Sequence, residues 1–110
     1  MIDWNRIAEL REEVGPEDFD EVVELFLQEV DEEIKKLSPA TARDGLSEKL
    51  HFLKGSALSL GFTEFSTLCG TGETALSSDP AAPFDIDRLH ATYQRSRDTF
   101  LADLPHRFAN

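Results

Sequence analysis

Between Phe19 and Leu37, apolar residues recur every three or four positions, at Phe19, Val22, Val23, Phe26, Leu27, Val30, Ile34 and Leu37. That is the period of an α-helix burying one face, and a run of this length does not fit a strand. Glu17, Asp18, Asp20 and Glu21 load the first turns, and Lys35 and Lys36 the last, so both ends complement the helix dipole. Ser38-Pro39 is expected to stop the helix.

Four further segments show the same period. The first runs from about Asp3, a plausible N-cap, to Val14, with Ile7, Leu10 and Val14 as its stripe and Gly15-Pro16 at its end. The third is expected to begin near Thr41 to Asp44. It buries Leu46, Leu50, Leu53, Ala57 and Leu60, and Gly61 supplies its left-handed C-terminal residue. The fourth starts near Thr63 and turns Phe65, Leu68, Cys69, Gly72, Ala75 and Leu76 inward. Gly70 and Gly72 each cost that helix about 1 kcal/mol relative to Ala, so their expected use is close approach of a neighbouring helix. A loop over residues 77–83 precedes the fifth, whose stripe is Ile86, Leu89, Tyr93, Phe100 and Leu104, with Pro105 following its end.

Short links between long amphipathic helices favour antiparallel neighbours. The expected fold is all-α: an up-down antiparallel four-helix bundle with a short N-terminal capping helix, forming one domain over residues 1–110. The formal charge of -11 argues against nucleic acid, which calls for a basic footprint, and against an anionic membrane surface. The single cysteine, Cys69, allows no intrachain disulfide and lies on the apolar stripe, where it reads as a small core residue. With no signal-peptide pattern and no apolar run of membrane length, a cytoplasmic monomer is the default expectation.

His51 stands apart from this pattern. At about 100° per residue it points roughly 140° away from the middle of its helix's apolar stripe, into solvent. Lys54 and Gly55 follow by three and four residues and are its neighbours on the helix surface. A nucleophile, a cation and a missing side chain are the parts needed to carry a phosphoryl group. A neutral imidazole attacks through its unprotonated nitrogen, and a carboxylate bonding the other N–H would fix the tautomer. Phosphoryl transfer is mostly positioning and charge stabilisation, which Lys54 can supply from a largely exposed position. Leu58, seven residues on, lies within about 20° of His51 and offers an apolar contact beside it; Phe52, about 100° round, either borders the same region or tucks under the neighbouring helix.

The run His51-Phe52-Leu53-Lys54-Gly55-Ser56 followed by Leu60-Gly61 resembles the signature of histidine-containing phosphotransfer (HPt) domains, and Leu68-Cys69 with Glu73-Thr74-Ala75-Leu76 resembles the family's next helix. The resemblance implies a phosphorelay carrier, not an enzyme with activity of its own. It would accept a phosphoryl group from a receiver-domain phospho-aspartate and pass it to another receiver. Expected partners are receivers of a hybrid histidine kinase and of response regulators. The chain itself would need no cofactor, the partner receiver supplying Mg²⁺. By motif position, His51 is the phosphoacceptor, Lys54 the cation near the phosphoryl oxygens, Gly55 the opening for the receiver and Glu73 the residue that orients the imidazole. Leu58 and Phe52 would bind the partner.

Blander readings stand beside these. His51 could be a solvated surface histidine, Lys54 a surface ion pair worth at most about 1 kcal/mol, and Glu73 a plain surface carboxylate. His90 and His106 sit in no constellation and are expected to be solvated. A metal site from His51, Cys69 and Glu73 conflicts with the stripe, which turns Cys69 inward and His51 outward. Trp4 reads either as a packing anchor or as part of the docking surface. The competing function is a helical adaptor that binds a partner protein without carrying phosphate.

Overall fold

A computed structural model describes residues 2–38 and 45–107. They form five helices: α1 (Trp4–Val14), α2 (Pro16–Lys35), α3 (Leu46–Ser59), α4 (Thr63–Ser78) and α5 (Ile86–Arg107). Asp3 opens α1 by accepting a hydrogen bond from the Arg6 amide at 3.2 Å. Gly15 alone links α1 to α2, at φ 89°, with Pro16 as the first residue of α2. The expected start of the third helix at Thr41 to Asp44 and the stop at Pro39 lie outside the described residues. Within them, α3 starts after Gly45, which takes φ 76°.

The turn from α3 to α4 aligns the two helices. The Phe62 amide donates to the Ala57 carbonyl at 2.8 Å and the Gly61 amide to the Leu58 carbonyl at 3.3 Å, with Gly61 at φ 70°. This is a Schellman ending, and it needs the left-handed glycine. The same glycine receives the N-terminus: the Asp3 amide donates to the Gly61 carbonyl at 2.7 Å, and Ile2 bridges Phe62. Among the described residues that bridge is the only β pairing, and α2 to α5 form the all-α antiparallel bundle with α1 capping one end.

The predicted stripes are the core. Leu46, Leu50, Leu53, Ala57 and Leu60 are all buried, as are Phe19, Val23, Leu27, Val30 and Ile34 of α2. Each buried leucine is worth about 1.5–3 kcal/mol. Turning α3 to bury His51 would expose four of them, so the stripe fixes which way His51 faces. Two helices, α4 and α5, differ in detail from expectation. Ala75 is exposed and Leu68 only half-buried, while Ser66 is buried, because α4 turns the narrower row of Phe65, Cys69, Gly72 and Leu76 inward. Pro105 lies inside α5, which continues to Arg107; the Arg107 guanidinium sits 4.8 Å from the centre of the Trp4 ring, so tertiary contact carries the last turn past the proline. Trp4 in turn stacks on Phe100 at 5.8 Å and is a packing anchor.

The fourth edge of the bundle, between α2 and α5, is tied by polar links. Tyr93 donates to Asp31 at 2.6 Å, and Arg97 approaches both oxygens of the same carboxylate at 3.2 Å. His90 is not solvated as expected. It is half-buried, and its Nε2–H donates to the Leu37 carbonyl at 2.6 Å, holding the segment after α2 against α5.

Candidate functional site

α3 and α4 are the most closely packed pair of helices, and the site lies on their seam. His51 projects from α3 with its side chain 68% exposed. From α4, Glu73 brings Oε2 to 2.7 Å from His51 Nδ1 and Oε1 to 2.8 Å from Lys54 Nζ. One carboxylate thus holds both of the α3 side chains, one by each oxygen. The predicted orienting contact of Glu73 is present in the geometry. The surface ion pair weighed for Lys54 is present, but its partner, Glu73, was not read from the sequence, and Lys54 is correspondingly not largely exposed. Its side chain is one-third exposed, with the stem laid against α4.

The electrostatics follow from that bridge. Glu73 is held below the ordinary carboxylate value of 4.5, first by the hydrogen bond from Lys54 and further by that from His51, with desolvation opposing both. An ionised carboxylate only accepts, so Nδ1 of His51 carries the ring proton and donates it to Oε2. The Nε2 lone pair is left free. Beneath the pair, Cys69 is fully buried, and burial, aided by the negative Glu73, pushes its thiol up to about 12. It is a core residue, as its place on the stripe predicted. Among the described residues no group of three or more His, Cys, Asp or Glu is placed to hold a metal ion.

Two glycines shape the surroundings. A Cβ at Gly55 would meet nothing within 4 Å, so the surface one turn beyond His51 is open. A Cβ at Gly72 would lie 2.3 Å from the Phe84 ring and 2.9 Å from Leu50 Cδ1. The bare backbone there lets α4 close on α3 at the residues adjoining Glu73 and His51. Leu58 and Phe52 are 54% and 43% exposed. The other two exposed large apolar side chains among the described residues, Leu25 and Leu101, line a groove between α2 and α5 that does not include His51.

The sequence model of the Hpt domain matches residues 21–107, a span that runs from α2 to the end of α5. The chain belongs to the Hpt domain family. It is therefore a histidine phosphotransfer protein of a two-component phosphorelay, and its partners are receiver domains. Among curated proteins, this Hpt chain is similar to the phosphorelay protein LuxU of Vibrio vulnificus strains YJ016 and CMCP6. Each is 34% identical over 104 residues, an alignment covering 86% of this chain and 90% of the relative. No solved structure gives a significant match. Among the described residues no helix is long and apolar enough to cross a membrane.

Proposed function

We propose that His51 is the residue of this Hpt domain that carries the phosphoryl group, and that it does so on Nε2. The observation supporting this reading is the 2.7 Å contact of Nδ1 with Glu73, made by a ring that is otherwise two-thirds exposed. The Nε2 lone pair attacks the phosphorus of a receiver's aspartyl phosphate. The N–P bond forms, the P–O bond to the aspartyl carboxyl breaks, and the receiver regains a free carboxylate. Nδ1 keeps its proton, and the positive charge gained by the ring faces Glu73. The same step run backward hands the group to the next receiver.

Lys54 stands within reach of the phosphoryl oxygens, since its ammonium and the ring share one carboxylate. Gly55 leaves the receiver an unobstructed line to Nε2. Leu58 and Phe52 provide the apolar contact that holds the partner. Mg²⁺ bound by the receiver neutralises charge on the phosphoryl group, and this chain acts as a carrier without autonomous catalysis. In this reading it works as a cytoplasmic monomer between the receiver of a hybrid histidine kinase and those of response regulators. The relatives named as phosphorelay proteins support that role.

The test is transfer itself. A phosphorylated receiver incubated with the protein should leave acid-labile, base-stable phosphate on it, and His51→Gln should abolish the label. Label that survives His51→Gln would end the assignment. The adaptor reading makes the opposite prediction in cells: unchanged signalling with His51→Gln and loss with Leu58→Asp.

A further inference from the structure

Gly70 has no evident conformational reason to be glycine. The positive-φ residues among those described are Gly15, Gly45 and Gly61, so the backbone at Gly70 is ordinary helix that any residue adopts. In that setting glycine weakens α4 relative to alanine. Gly72, on the same helix, is accounted for by the Phe84 ring and Leu50 pressed against it. A Cβ at Gly70 would meet a single neighbour within 4 Å, Cδ of Lys54 at 3.3 Å.

The geometry explains that contact. Gly70 precedes Glu73 by three residues, so it stands one turn away on the same face of α4. Lys54 crosses from α3 over the bare turn at Gly70 and reaches Glu73 beyond it. We infer that Gly70 is a positioning residue for Lys54: its missing side chain is the floor on which the lysine stem lies, and that floor keeps Nζ on Glu73 and beside His51. The inference rests on the reading that His51 carries the phosphoryl group with Lys54 at its oxygens.

Energetics favour a built floor. A surface ion pair alone does little to hold a long, flexible side chain, because ordering the lysine costs rotamer entropy. Packing the stem against α4 narrows its choices and adds dispersion contact. A methyl group at position 70 would sit closer to Cδ than ordinary van der Waals contact, lifting the stem slightly. A β-branched side chain would lift it further and swing Nζ into solvent. Transfer is sensitive to such shifts, since displacements of about 1 Å can cost two orders of magnitude.

The test uses the full chain and a receiver domain charged with acetyl phosphate that labels the parent protein. Gly70→Val should slow transfer by about tenfold and Gly70→Ala by a few-fold, while Gly70→Ala melts at a higher temperature than the parent. Placed on a Lys54→Ala background, neither should slow transfer further, because the residue acts through the lysine. Independently of transfer, the Glu73 carboxyl carbon followed by NMR should titrate higher in Gly70→Val than in the parent, moving toward its ordinary 4.5 as the Lys54 bond is lost. Slowing that persists on the Lys54→Ala background, or a Glu73 titration that does not move, would overturn the inference. If the valine variant fails to fold, the alanine variant decides the same questions. A parent protein that takes no label would instead remove the His51 reading, and the Glu73 titration would still decide whether Gly70 positions Lys54.

Discussion

At the scale of single residues, the site turns on one carboxylate doing two jobs. Glu73 fixes the His51 tautomer with one oxygen and holds Lys54 with the other. Glutamine at this position could still accept from Nδ1, but its amide nitrogen would face the ammonium. Glu73→Gln should therefore retain part of the transfer rate and Glu73→Ala less, measured with one charged receiver. Stability should carry the same signature. The folded value of Glu73 lies below its ordinary 4.5, so its contribution is complete above that value and is lost as pH falls through the depressed one. The gap in urea midpoint between parent and Glu73→Gln should be open at neutral pH and shrink as the pH falls below 4.5 and through the depressed value. An equal gap at both would mean the bridge adds nothing to folding. Of this site, the outward face of His51 was legible from one helix's period, because burying the leucine row decides it. The Lys54–Glu73 pair was not, because it depends on the rotation of α4 against α3, which spacing within either helix does not contain.

At the scale of elements, two glycines on adjoining helices should respond to alanine with opposite signs. At Gly72 the new methyl would press on the Phe84 ring at 2.3 Å and on Leu50 Cδ1 at 2.9 Å. Overpacking of that kind costs about 1–3 kcal/mol, against roughly 1 kcal/mol returned by helix propensity. Gly72→Ala should melt at a lower temperature, and the wedge it drives between α3 and α4 should lengthen the His51–Glu73 contact and slow transfer. At Gly55 the methyl meets open space in ordinary helix, so Gly55→Ala should be stabilised by up to about 1 kcal/mol. Gly55→Gln should keep that gain and lose transfer through bulk in the receiver's path. Thermal melts of both alanine variants check the pair, and a matching sign would break the account. The helices themselves were legible because each carries its own stripe and punctuation, as Asp3, Gly15 and Gly61 illustrate. What sequence misplaced lay where tertiary contact overrides local preference: Pro105, carried through by Arg107 on Trp4, and His90, drawn onto the Leu37 carbonyl.

At the scale of the whole molecule, burial and net charge set two global behaviours. Cys69 is fully buried with its thiol pushed up to about 12, so a thiol reagent at neutral pH should reach it only when the bundle opens, at a rate that rises with urea as the folded fraction falls. Charge bears on partner encounter. The chain carries -11, and Lys54, the cation beside His51, is already occupied by Glu73. A receiver's aspartate pocket is itself acidic, so on net charge the approach is between like charges. The Debye length falls from about 30 Å at 0.01 M salt to about 8 Å at 0.15 M, which hides most of the distant charge while leaving intact the close apolar contact proposed for the exposed Leu58 and Phe52. Transfer measured well below saturating receiver should therefore speed up across that range, opposite to a steered pair. Leu58→Asp should lower the rate at every salt concentration, because it removes contact and adds another negative charge at the point of docking. A rate that falls with added salt would show that Lys54 dominates the encounter, and the apolar patch would then have to be demoted to a secondary role.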